Sequence, residues 1–236
     1  MKRGKKPSYS DIIAEIKRGR DPEAVAGMAR YGISPEGNYG ICTPILFGLA
    51  KRAGKDHDLA QRLWASGIRD ARIVAFKVDD PKLVTDEQMD RWVKDFSSWD
   101  ICDGTCLHLF ADAKPARKKA MQWSKSRSEF VKRAGYVMMA VLAVHDKKSG
   151  DETFKPFFAL IVKGATDERN YVKKAVNWAL RQLGKRSLEL NREAVAVARK
   201  IQELDSKAAR WIAADALREL TDEKVQERLR KKAAKG

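Results

Sequence analysis

The stretch Ala179-Leu180-Arg181-Gln182-Leu183 returns 37 residues later as Ala216-Leu217-Arg218-Glu219-Leu220, each time with apolar residues three and four positions apart. Phe130-Val131-Lys132-Arg133-Ala134 is echoed in the same way, 41 residues on, by Tyr171-Val172-Lys173-Lys174-Ala175. Spacings of three and four put the apolar side chains on one stripe of a helix, and a repeated stripe means that each helix buries it against its neighbour. Outward from these segments the same period runs from Ser10 to the C-terminal region, and no stretch alternates with period two. The chain is therefore expected to be all-α, with helices at 9–19, 22–31, 43–54, 57–66, 68–78, 86–97, 99–111, 115–123, 127–145, 153–164, 168–184, 190–204, 207–219 and 222–232.

Punctuation agrees with these boundaries. Thr85 with Gln88 three residues later forms a capping-box pattern, Asp56 and Asp205-Ser206 are N-cap residues by type, and Pro22, Pro44 and Pro115 suit first helical turns. Short connections imply antiparallel neighbours. Repeats of about 37 to 41 residues are the size of HEAT or armadillo units, whose helix pairs stack into a solenoid with a concave face for a long ligand. The expected organisation is a basic tail over 1–8, one repeat domain over 9–220, and a final helix with a basic tail over 221–236.

With 48 Lys and Arg against 32 Asp and Glu among 236 residues, the chain carries a formal charge of +16. Such an excess puts nucleic acid first among partners, with membrane surfaces and acidic proteins behind it. The opening Met-Lys-Arg-Gly-Lys-Lys and closing Lys-Lys-Ala-Ala-Lys-Gly runs have no apolar residues to bury and are expected to be mobile, adding non-specific attraction for DNA. Three cysteines, Cys42, Cys102 and Cys106, cannot all pair, and no apolar signal or spanning segment is present, which together suggest a reducing cytoplasm.

On a helical wheel of 171–185, Lys174, Trp178, Arg181 and Lys185 share one stripe, opposite Val172, Ala175, Val176, Ala179 and Leu183. Trp178 therefore points away from the core. An indole among cations suits a surface where the cations meet phosphates and the ring packs on sugar or base; the bland alternative is a cation–π cluster facing solvent. In the stretch 97–103, Trp99 and Asp103 lie four residues apart and so adjacent on one helical face, which Cys106 and Phe110 continue. A carboxylate on an apolar stripe is costly unless it is bonded, paired or kept for chemistry. Asp100 reads instead as a first-turn acid answering the helix dipole.

Lys132 and Arg133 are the only charged residues from Phe130 to Val144, which suits either a buried carboxylate partner or a phosphate contact. Cys102, Cys106 and His108 lack a second pair at ligand spacing, so buried thiols are expected in place of a metal site, and the sequence asks for no cofactor. His57 and His145 read as surface or cap residues. Trp64, Trp92, Trp123 and Trp211 read as packing between helices.

Trp99-Asp100-x-x-Asp103, Lys132-Arg133-Ala134 and Asn177-Trp178-Ala179-Leu180-Arg181, in that order, resemble the AlkD family of alkylpurine DNA glycosylases, with Gly32-Ile33 ahead of Pro35 and Trp64…Arg69-x-Ala71 as supporting features. The resemblance extends from about Tyr9 to Leu220. It implies a HEAT-like solenoid that cradles duplex DNA and hydrolyses the N-glycosidic bond of cationic N3- and N7-alkylated purines without needing to extrude the base; the sequence gives no oligomeric state, and a monomer is the simplest case. It also implies that Asp103 is the catalytic carboxylate, flanked by Trp99 and Trp178, and that Arg133 and Arg181 contact the DNA backbone, with Lys132, Lys174 and Lys185 as further phosphate contacts by charge and position. Ser98 stands where some members carry a second aromatic. The readings from other classes are a helical scaffold that binds nucleic acid without cutting it and an adaptor for acidic proteins.

Overall fold

A computed structural model describes residues 6–234 and contains helices and no strands among them. The chain divides into two compact units, Met1–Pro115 and Ala116–Gly236.

The first unit holds α1 (Tyr9–Arg18), α2 (Pro22–Ala29), α3 (Thr43–Ala53), α4 (His57–Ala65), α5 (Arg69–Val78), α6 (Asp86–Trp92) and α7 (Trp99–His108). Its hub is α5, which packs on α1, α3, α4 and α7. Alanines and β-branched residues make this possible: Ala71, Val74, Ala75 and Val78 are all fully buried, so neighbouring backbones approach closely. The Trp64 and Trp92 rings stack with centroids 3.9 Å apart, and the Trp64 Nε1–H donates to Asp95 Oδ2 at 2.8 Å. These two tryptophans pack between helices as expected.

The second unit holds α8 (Ala116–Trp123), α9 (Glu129–His145), α10 (Pro156–Gly164), α11 (Asn170–Gly184), α12 (Leu188–Gln202), α13 (Lys207–Leu220) and α14 (Glu223–Ala233). Here α9 packs on α8 and α11, while α11 continues to α12 and α13. Apolar nearly all round, α9 is buried continuously from Arg133 to Ala143. Gly135 brings it onto the end of α8: a Cβ there would sit 2.3 Å from the Ser124 backbone nitrogen, which no rotamer change could relieve. The repeated segments meet as stacking requires. Phe130 and Tyr171 face each other with centroids 5.4 Å apart, and Ala179, Ala216, Leu183 and Leu220 are fully buried.

Several expectations need correction. The helix expected over 86–97 ends at Trp92 and gives way to a 3₁₀ turn, and that over 99–111 ends at His108, because Leu109 leaves helical geometry (φ −139°, ψ −61°) before a second turn at Phe110–Asp112. Thr85 caps α6, but the Gln88 amide turns away to donate to Asp79 Oδ2 at 2.6 Å, so only half of the expected box forms. A complete box stands at Ser8 and Asp11 and starts α1 at Tyr9, with its N-cap Ser8 the last residue of the expected N-terminal tail. Residues 1–5 of that tail lie outside the described residues. The closing basic run is helical through Ala233, and the Lys232 ammonium donates to the Arg186 carbonyl at 2.5 Å, so it is docked and not loose; residues 235–236 lie outside the described residues.

His57, at the first turn of α4, keeps part of its side chain exposed but is more than a surface residue, since its Nδ1 lies 2.7 Å from the fully buried Asp79. Trp211 is 41% exposed instead of packed, with the Lys173 ammonium 5.2 Å from its ring centre. No helix among the described residues is long and apolar enough to cross a membrane.

Candidate nucleic-acid interface and active-site residues

In the first unit the site residues sit on α7, and its register decides what each can do. Ile101, Cys102, Thr105 and Cys106 are buried, whereas Trp99, Asp100, Asp103, Gly104 and Leu107 are half-buried. The boundary therefore splits the stripe expected from the wheel. Cys106 and Phe110 are sealed, while Trp99 and Asp103 stay on the accessible edge, one helical turn apart. A carboxylate there keeps part of its hydration, which lowers the cost of holding it ionised. Both thiols are buried, and His108 lies edge-on to Phe47 and stacked on Phe76, with centroids at 5.2 and 5.7 Å.

The start of α7 is anchored by bonds that span the unit. Trp99 Nε1–H donates to the Tyr31 carbonyl at 2.9 Å, which orients the indole. Asp100 is more than a first-turn acid, because it accepts from Arg69 Nε at 2.8 Å and from Ser98 Oγ at 2.5 Å. Arg69 in turn lies 3.5 Å from the neighbouring Asp70, which accepts the backbone amides of Tyr39 and Ile41 at 2.8 and 3.0 Å. Ser98, Asp100, Arg69 and Asp70 thus tie the loop at 39–41 to the first turn that carries Trp99. Arg69 and Tyr31 were identifiable in the sequence only as residues within or beside family-like features; their partners lie at separations that local periodicity does not reveal.

In the second unit, Trp178 lies half-buried on the side of α11 opposite its core residues, and Lys174 is exposed beside it. The other cations of that stripe have partners. Arg181 and Lys185 both bond to Glu219 of α13, and Arg181 Nε lies 3.5 Å from Asp215. Burial alone would raise the Glu219 pKa, but its bonds from Lys185 and Arg181 hold it below the ordinary range. Both cations keep some exposed surface, so a phosphate would meet them as members of an ion-pair network instead of bare charges. Asp215 and Glu219 were missed by reading α11 alone. The repeat offset could have found them, because Asn177–Asp215 and Arg181–Glu219 are both 38 residues apart.

Arg133 is only 6% exposed, and its guanidinium donates to the Tyr171 carbonyl at 2.6 Å. Lys132 pairs with Asp167 at 2.8 Å. Hydrogen bonds from Arg169, and then from Lys132, hold the Asp167 carboxyl well below the usual carboxylate range despite its burial. A depressed folded-state pKa contributes stability above the unfolded pKa of about 3.9, and that stability is lost as pH falls through the folded value. Asp167→Asn should consequently flatten the acid limb of a plot of urea midpoint against pH. Parallel curves for the variant and wild type below about pH 4 would show that this cluster contributes nothing to acid sensitivity.

Comparisons with known proteins agree with this fold. The family described as DNA alkylation repair enzyme matches residues 12–220. A solved structure described as "A new family of proteins related to the HEAT-like repeat DNA glycosylases with affinity for branched DNA structures" is similar with a TM-score of 0.73 and 19% identity, over 89% of this chain and 94% of that one. A designed armadillo repeat protein is similar with a TM-score of 0.35 and 14% identity, over 76% of this chain and 93% of that one. A search of curated protein sequences finds no match. The fold is an all-α, HEAT-like repeat array.

Proposed function

The chain belongs to the family of DNA alkylation repair enzymes, and from that membership we propose that it is a DNA glycosylase that releases cationic N3- and N7-alkylated purines from duplex DNA by hydrolysis of the N-glycosidic bond. The observation that carries the reading is the Trp99–Asp103 pair, an indole and a carboxylate one turn apart on the accessible edge of a helix whose start is fixed by Tyr31 and Arg69.

An alkylated purine already carries positive charge and leaves readily. The protein's task is to stabilise the developing oxocarbenium charge at the sugar and to supply water. Asp103 does both: its negative charge faces the developing cation, and its oxygens accept from the attacking water. Trp99, on the same helix edge, offers an electron-rich face to the sugar, and Trp178, on the second unit's basic stripe, offers one to DNA held by that unit. Lys174, Arg181 and Lys185 neutralise backbone phosphates, consistent with the +16 formal charge. Arg133, buried against the Tyr171 carbonyl, holds α9 to α11 and positions the basic face from behind.

The neighbour with described affinity for branched DNA favours a second reading, in which the chain binds DNA without cutting it. Base release separates the two. Incubated with methylated duplex, the protein should free 7-methylguanine or 3-methyladenine well above the spontaneous rate, as read by chromatography of the supernatant. Binding of the duplex with release no faster than in buffer would establish the non-catalytic reading.

A further inference from the structure

Away from Trp178, the ends of α9 and α11, the start of α12 and the last turns of α14 enclose a cleft of about 430 Å³ lined by Lys147, Asp151, Arg186, Ser187 and Lys232. A smaller cleft of about 190 Å³ shares Lys147, Arg186 and Lys232 with it and adds Lys185 and Arg228. Five cations from three segments, Lys147, Lys185 with Arg186, and Arg228 with Lys232, thus meet two acids, Asp151, which lies 3.2 Å from Arg186, and Glu219, which bonds to Lys185. Among the described residues, Lys147, Arg228 and Lys232 form no ion pair.

The geometry points to a phosphate-binding site here, made without Trp99, Asp103 or Trp178, sharing only Lys185 with the phosphate contacts proposed above, and built for a diphosphate or for consecutive phosphodiesters. Three further features support it. Arg186 is rigid, its side chain 8% exposed and held by the carbonyls of Ala143, Asp146 and Ser149 at 3.0, 2.7 and 2.5 Å, so its charge is already in place before a ligand arrives. The 15-residue α12 begins at the cleft wall, and because Ser187 caps the Leu190 amide, the amides of Leu188 and Glu189 remain directed outward from the positive end of the helix. Finally, burial and then repulsion from Lys147, Arg186 and Arg228 depress the Lys232 pKa, a strain among like charges that a bound anion relieves. The larger cleft exceeds the room that a single phosphate needs, hence the preference for two.

The ligand could be nucleic-acid backbone or a small free phosphate, and one calorimetric experiment distinguishes them. Inorganic pyrophosphate titrated into the full chain should bind at one saturable site. Lys147→Ala with Lys232→Ala should weaken it about tenfold or more, Lys147→Arg should retain it, and Lys200→Ala, an exposed charge elsewhere on α12, should leave it unchanged. Undamaged duplex that displaces pyrophosphate identifies the backbone as the ligand; simultaneous binding of both identifies a free phosphate. No saturable binding, equal binding by the double variant, or displacement by polyglutamate as effective as by unlabelled pyrophosphate would overturn the proposal. Asp103→Asn should bind pyrophosphate like wild type, so the absence of base release would leave this result intact.

Discussion

Asp103→Asn should release 7-methylguanine from methylated duplex about 10² to 10³ times more slowly than wild type while binding the duplex equally well. The substitution conserves shape and removes charge. Asp103 is half-buried at the edge of α7, and the residues that seal the helix are Ile101, Cys102, Thr105 and Cys106, so an isosteric amide leaves the packing alone. On the proposed mechanism, what disappears is the negative charge that faces the carbon becoming cationic in the transition state. An amide can still orient water but cannot offset that charge, so the loss belongs to the chemical step and not to binding. Single-turnover release, with duplex affinity measured by fluorescence anisotropy, resolves the two. Release at the wild-type rate would remove Asp103 from the mechanism, and an equal fall in affinity and rate would mean that the carboxylate serves binding.

The largest expected effect on stability is that of Asp70→Ala, about 3 to 5 kcal/mol. Asp70 is fully buried and accepts the Tyr39 and Ile41 amides across some thirty residues of chain. Its removal orphans two buried donors and leaves Arg69 facing a gap. The loop cannot retreat to find water, because Gly40 within it adopts φ +80° and a site where even a Cβ would lie 2.3 Å from the Asp21 carbonyl. At roughly 2 to 4 °C per kcal/mol for a chain of this size, the melting temperature should fall by roughly 10 °C. Burial raises the Asp70 pKa, so its contribution runs opposite in sign to that of Asp167: it is fully present below the unfolded pKa and declines as pH rises through the folded value. The comparison is therefore made at one pH, near neutrality. A change below about 1 kcal/mol would show that the loop finds other partners. Because Arg69 continues to Asp100, the variant should also loosen the first turn of α7 and slow base release at temperatures where the protein remains folded.

Much of this molecule could be derived from local order along the chain. The periodicity of apolar residues determined that it is helical, roughly where each helix lies, and that α11 turns Trp178 away from its core, since a helix repeats every 3.6 residues whatever surrounds it. Charge composition put nucleic acid first among partners, and the motifs around Trp99, Lys132 and Trp178 pointed to the family. Tertiary structure alone decided the rest. It ended α7 at His108, so that Phe110 leaves the stripe of Trp99 and Asp103; it joined Arg181 and Lys185 to Glu219, set Arg133 against a carbonyl, drew His57 onto Asp79, and docked Lys232 on Arg186. These outcomes share one physical reason. A wheel reports which way a side chain points from its own axis, but the partner of a charge and the depth at which it sits depend on groups some 20 to 50 residues distant in the chain, brought near only when the helices stack.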